Sequence, residues 1–438
     1  MSEVAMLTIE MALEHSERRE LNDEVHARPP DSLPTPCAVT YVARLPKRDP
    51  QSGVGKDLLG DLLGRFGQER PNRAANHFTT ILGKDRLRWE RHTEYNRYTF
   101  VAPVDAKDTS SRFQEPGIPA DWLDEMRGEV FVGIRAKIIG PEEIDTPIEE
   151  LSRKCFNGNT LVGSRVGDDS GLALTDMRIH EDGFSRIVLI NENMSEAQTG
   201  RVLQRLFEIE TYRMMTLLAL PVARELSPVL DDEELELSAI GESLVNAESH
   251  HEQEWLKRLT QLSASSQSRH QRSSYRFAAA DAYYEIVLQR ISELRETRVH
   301  GLQTFEEFTT RRLTPAVKTY RAVSQRQHSI LEQLARATKL LSTRVDISRQ
   351  QQNQSLLASM NRRVKMQLRL QATVEGLSVA AVTYYVVGLV GTLARGIETL
   401  GVPLNQSLVS AFSIPIVAGV AFLGIRQLRK KISREEFE

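Results

Sequence analysis

The densest run of groups able to do chemistry is the string LNDEVHARPP, in which Asp23, Glu24, His26 and Arg28 fall within six residues ahead of a Pro-Pro stop. Carboxylates and an imidazole this close can ligate a divalent metal or exchange protons. No HExxH-type spacing accompanies them, and a polar interdomain loop closed by Pro29 has the same composition. Asp23, Glu24 and His26 stand as metal candidates against that plainer alternative. On ESHHEQE, Glu248 with His251, or His250 with Glu254, share a helix face at ligand-like spacing. A bundle metal site needs a second such pair, which the sequence lacks, so a solvated face is expected. WERHTEY places His92 and Glu94 on one side of an expected strand, where surface pairing is the reading. SGVGK has Pro50 where a phosphate loop needs its first glycine and Asp57 where it needs Ser or Thr, so it is rejected. Cys37 and Cys155 have no His close in sequence to act as base. No enzyme site emerges. A different set lies near the C-terminus: Glu398 and Asn405 can offer oxygens to a cation, and Ser378, Thr383, Tyr384 and Thr392, with Tyr385, can line a path if they share a face.

The elements that position this last set are two apolar runs. Leu377 to Ala394 is eighteen residues without a charge, about 27 Å as a helix against roughly 30 Å of hydrocarbon. The chain is uncharged again from Thr399 to Ile425. Two transmembrane helices are expected at about 374–394 and 407–425, with Pro415 bending the second. Arg362, Arg363, Lys365 and Arg369 precede the first run and Arg426, Arg429, Lys430, Lys431 and Arg434 follow the second, while the connection carries Arg395. That asymmetry places both termini of a multi-pass membrane protein in the cytoplasm.

Composition bounds the remainder. The 438 residues allow two to four structural units. With 56 basic and 59 acidic residues and a formal charge of −3, nothing favours nucleic acid as a partner. Two cysteines cannot build a disulfide framework and fit a reducing compartment. The first residues hold acids within their apolar stretch and do not read as a signal peptide. Short β-branched runs at Cys37 to Leu45, Leu87 to Thr93, Tyr98 to Val104 and Glu129 to Ile139 read as strands. GLALTDMRIH and FSRIVLINENM form a hairpin about Glu181, Asp182 and Gly183, and Lys56 to Phe66 is a helix. A helix starts at Ser195, and ELSPVLDDEE reads as a break. From Pro315 a helical pattern runs through Leu334, Leu341 and Val345 towards a stop at Gly376, its seam turning polar at Ser348 and Gln352. This is a long bundle helix, coiled-coil-like with a softened middle. The fold class is α+β: a cytoplasmic mixed α/β domain at 1–192, a long-helix region at 193–372, and a transmembrane hairpin with a basic tail at 373–438.

Over nearly its full length the chain resembles a bacterial family of membrane-anchored proteins known only as a domain of unknown function. The likeness rests on LNDEVHARPP, QRLFEIETYRMMTLLALPVAR and QNQSLLASMNRRVKMQLRLQATVEGLSVAAVTYYVVGLVG. In architecture it is similar to the CorA-type magnesium channels, with a long helix leading into the first of two C-terminal spans. That similarity implies a homo-oligomer in lipid whose first span lines an axial path, with Mg2+ or another divalent cation as cargo and no resident cofactor. The channels carry Gly-Met-Asn at the outer end of that span. Here the region reads ARGIETLGVPLNQS, leaving Glu398 and Asn405 as outer oxygens. The alternative is a membrane-tethered scaffold or sensor with a cytoplasmic protein partner and no transport.

Overall fold

The computed structural model describes residues 15–19, 21–22, 30–46, 57–72, 75–104, 113–126, 129–143, 146–246, 251–399 and 405–435. The chain divides into two compact units, residues 1–245 with 258–337, and residues 246–257 with 338–438.

The first unit is organised by β1 (Cys37–Arg44), a strand buried at every position. It sits mid-sheet, antiparallel to β4 (Asn96–Pro103) on one side and β5 (Val130–Ile139) on the other. Strands β2 (His77–Leu82), β3 (Asp85–Arg91), β6 (Val162–Val166), β7 (Gly171–Thr175), β8 (Ser185–Asn191) and β9 (Thr297–Arg298) complete nine strands in the order β2-β3-β4-β1-β5-β8-β7-β6-β9. The β5/β8 pair is parallel. It joins two antiparallel halves, β2-β3-β4-β1-β5 and β8-β7-β6-β9.

Strand alternation gives the sheet two faces. Val42, Leu87, Tyr98 and Phe100 bury against α1 (Leu58–Arg65) and α2 (Ala120–Glu125). There Trp122 meets Tyr98 and Phe100 edge to face and donates its Nε1–H to the Leu58 carbonyl at 2.8 Å. Further along, α3 (Ile148–Phe156) buries Leu151 and Phe156 with Leu174, Val188 and Ile190. On the other face Tyr41 stacks on Phe207 of α4 (Glu196–Leu217), ring centroids 4.8 Å apart. Helix α4 starts where Ser195 predicts, with a full capping box to Gln198. Gly200 in its second turn has the Asp31 carbonyl lying where a Cβ would stand, 1.6 Å away, and Leu33 donates its N–H to the Glu196 carbonyl at 3.1 Å. The chain leaving the polar N-terminal string is thus pressed flat on α4.

Within this unit three sequence expectations change. The break at ELSPVLDDEE is absent, because α5 (Ala219–Asn246) carries Pro228 inside it and the joint lies earlier, at Leu218. A proline removes one backbone bond. Buried Leu226, Leu230 and Glu233, spaced along one face, hold the helix through the gap. WERHTEY is not all strand, since β3 ends at Arg91 and His92 turns back to the Tyr95 carbonyl at 2.8 Å. Of GLALTDMRIH only Gly171–Thr175 is strand, although the turn through Gly183 is present, its N–H bonded to the His180 carbonyl.

Long helices follow: α6 (Glu252–Leu294), the short α7 (Phe305–Arg312), α8 (Thr314–Thr399) and α9 (Gln406–Glu435). Helix α8 runs 86 residues and Gly376 does not stop it. Val317, Tyr320, Val323, Ile330, Leu334, Leu341 and Val345 of α8 are buried. From Gln351 to Val374 every residue is exposed, so the buried seam that begins at Val317 is interrupted where it turns polar at Ser348 and Gln352.

Candidate functional site

Among the described residues two helices are long and apolar enough to cross a membrane, the C-terminal part of α8 and Ser407–Gln427 of α9. Their large side chains point outward: Tyr384, Leu389, Leu393, Phe412, Ile416 and Val420 are all exposed. An apolar surface of that extent is unsuited to water and suited to lipid.

Each helix has one stripe of reduced exposure. On α8 it runs through Thr383, Val387, Val390 and Ala394, and on α9 through Val409, Ser413, Val417, Ala421 and Ile425. At about 100° per residue, Ser378, Tyr385 and Thr392 recur every seven residues, on the side of α8 opposite that stripe. Ala381 and Gly388 fall beside them and Arg395 extends the row. Of the four hydroxyl candidates, Ser378 and Thr392 therefore share an open face, Thr383 belongs to the covered stripe, and Tyr384 lies between, its ring edge-on to Tyr385. The three aliphatic hydroxyls donate within their own helix: Ser378 to the Val374 carbonyl, Thr383 to Val379 and Thr392 to Gly388, at 2.9, 2.7 and 2.9 Å. Their oxygens keep lone pairs for another partner. Glu398 is exposed and lies about 120° round the helix from Thr392. Asn405 caps α9, its Oδ1 accepting the Ser407 N–H at 3.2 Å.

Asp23, Glu24 and His26 lie outside the described residues. Among the described residues no three His, Cys, Asp or Glu side chains cluster as a metal site. His250 and Glu248 also lie outside them; His251 and Glu254 pair at 3.8 Å with both side chains well exposed.

Sequence reasoning missed the strongest electrostatic feature, which begins where the N-terminal string ends. Asp31 pairs with Arg88 at 3.4 Å. Arg88 Nε donates to Glu90 at 2.6 Å, and Glu90 also takes Arg97. Arg97 reaches Glu208 of α4 at 3.8 Å, Glu208 takes Arg290 of α6, and Arg290 holds Glu293 at 2.9 Å, which in turn takes Arg205 at 3.1 Å. Acids and bases alternate from the sheet through α4 to α6. Glu90 is fully buried. Burial pushes its carboxyl up, but hydrogen bonds from His92 and Arg97 and the charges of Arg97 and Arg88 overcome this and hold it well below the usual carboxylate range. Burial likewise raises the Tyr41 and Tyr95 hydroxyls, with Tyr41 bonded to Thr211 at 2.8 Å. The adjoining cavity, between Asp31, Arg88, Arg97 and Gln204, holds about 30 Å3, room for a water or two and no substrate. The relay is a staple between layers. Its signal in the sequence was the charged alternation Arg86, Arg88, Glu90 on β3, which reads as a solvated face until α4 covers it.

Glu94 forms a second staple, accepting Arg276 at 2.8 Å and the Tyr283 hydroxyl at 2.9 Å from α6. Its carboxyl too is held down by these donors against the opposing effect of burial. Cys37 and Cys155 are buried and unbridged, and burial pushes the Cys37 thiol up to about 12. That keeps it protonated and unreactive.

A family described as "Protein of unknown function (DUF3422)" matches residues 13–432. No curated protein matches the chain. The matched span takes in the sheet, the relay, the long helix and both apolar helices, and the chain belongs to the DUF3422 family.

Proposed function

We propose that this protein is a homo-oligomer of the bacterial inner membrane, with a CorA-like arrangement in which copies meet along α8 and cations pass along the seam of Ser378, Tyr385 and Thr392. The observation that carries this reading is the position of that seam. Its hydroxyls and small residues stand opposite the half-covered stripe of α8, so among the described residues the face best suited to close helix contact or to hydrated ions is left open. The basic flanks support a topology with both ends of the hairpin on the cytoplasmic side. Membrane lipid is the surrounding partner.

A second reading, a tether for a cytoplasmic scaffold or sensor, is favoured by a different observation. The seam carries no carboxylate, and Arg395 stands at its outer end, where a cation meets repulsion.

Cysteines introduced at Ser378 or Tyr385 should cross-link between copies in native membranes, and one at Val387 should not. Cross-linking at Val387 in place of Ser378 overturns the assembly. Mg2+ or Co2+ flux into vesicles holding the cross-linkable oligomer separates the readings: no flux leaves the tether.

A further inference from the structure

A cleft of about 790 Å3 opens beside the start of α1, far larger than the water-sized cavity of the relay. Its volume falls within the range of roughly 300–1,000 Å3 typical of small-molecule sites. The floor is apolar and aromatic, with Leu58, Trp89 and Tyr98, and among the described residues the walls bring three guanidinium groups, Arg44, Arg70 and Arg91, against one carboxylate, Asp57.

The three arginines are differently committed. Arg44 is paired with Glu129 and buried. Arg91 gives Nε and Nη2 to the neutral amide oxygen of Asn76, at 3.3 and 3.0 Å, with its guanidinium 5.9 Å from the Trp89 ring centre. Arg70 reaches Asp57 at 3.5 Å, and both side chains are more than half exposed, so this pair is free to rearrange. Asp57 also accepts the Gly60 N–H at 3.0 Å as the cap of α1. A Cβ at Gly60 would stand 2.4 Å from the Asp57 carboxylate and 2.8 Å from the Arg70 guanidinium. The glycine lets an anion and a cation close on the helix start together.

We propose that this cleft binds a phosphorylated small molecule with a flat apolar body, of which a nucleotide is the type. Its phosphates would take Arg70 and Arg91, geometry that guanidinium groups serve well, and its body would lie on the apolar floor. Asp57 holds the helix-start position as an internal anion and competes with the incoming phosphate. The proposal is independent of the transport reading.

The test is equilibrium binding of ATP, AMP, adenosine and inorganic phosphate to the detergent-purified full-length protein. ATP should bind saturably and adenosine should not. Arg91→Gln should weaken ATP at least tenfold, and Asp57→Asn, which removes the competing charge, should tighten it severalfold. Should Arg91→Gln lower the melting temperature, Arg70→Gln, at an exposed side chain, carries the same expectation. No saturable ATP binding, or affinity unchanged in both arginine variants, overturns the proposal. Inorganic phosphate binding as tightly as ATP overturns the role of the flat body. Displacement of ATP by micelles doped with phosphatidic acid, at equal phosphate concentration, would assign the organophosphate to a lipid head group and overturn the small-molecule ligand.

Discussion

Replacing Glu90 by Gln tests the relay at its most enclosed member. The carboxylate neutralises Arg88 and Arg97, both nearly as buried as itself. Breaking a buried ion pair from one side costs about 3–5 kcal/mol, because the remaining charge is left without compensation. Arg88 keeps Asp31 at 3.4 Å and Arg97 keeps Glu208 at 3.8 Å, so the lower end, about 3 kcal/mol, is expected. At about 2–4 °C per kcal/mol for a large domain, the melting temperature should fall by about 6–12 °C. Intrinsic fluorescence of the detergent-purified protein reads this directly, since Trp89 and Trp122 lie in the sheet unit's core. The pH dependence follows from the sign of the shift. A carboxyl depressed in the folded state contributes stability that is complete above its unfolded value, about 4.3, and is lost as pH falls through the folded value. The deficit of Glu90→Gln should thus be equal at pH 7 and pH 5 and shrink only in more acid solution. Glu90→Leu combined with Arg97→Met, which removes both charges, should recover part of it. A deficit under about 1 kcal/mol at pH 7, or one that disappears between pH 7 and pH 5, refutes the reasoning.

Gly200→Ala should displace residues 31–33 from α4, since the new Cβ would stand 1.6 Å from the Asp31 carbonyl; a loss of about 2 kcal/mol or more in denaturant unfolding, and faster protease cutting near Pro30, are expected. Cys37, with its thiol pushed up to about 12, should resist iodoacetamide at pH 9 in the folded protein and react on unfolding; a peptide-like alkylation rate would show that it is exposed. A reporter fused at the C-terminus should be active only in the cytoplasm and one placed in the 400–405 connection only outside, the reverse pattern contradicting the charge asymmetry.

Much of the architecture was legible because burial leaves a pattern in local sequence. Strand β1 is an unbroken β-rich run, the Ser195 cap announces α4, and the loss of apolar periodicity at Ser348 marks where α8 leaves the core. Strands β2 and β6 were not legible: HFTTIL is an edge strand with alternate residues exposed, and VGSRV is short with a glycine within it. Pro228 misled because a proline's local cost was outweighed by packing that the sequence does not reveal. The relay joins Asp31, Arg97, Glu208 and Arg290, residues brought together only by the sheet order and the return of α6, so no spacing rule could find it. Among the hydroxyl residues of α8 the types stood out in the sequence, whereas separating Thr383 from Ser378 and Thr392 needed the position of the covered stripe, which packing sets.

The order of the sheet also has a consequence for the protein during its synthesis. Strands β1 to β5 come from residues 37–139 and can zip up early, and β6 to β8 form a compact meander from 162–191. The parallel β5/β8 seam then joins the halves after a single crossover through α3. The outer edge of β6, however, is capped by Thr297–Arg298, which follows α4, α5 and α6. Until the ribosome has released all three helices, β6 presents unpaired backbone to its surroundings, the kind of edge that recruits other chains. The nascent protein therefore passes through an interval in which it is vulnerable to aggregation, closed only when the two-residue strand arrives.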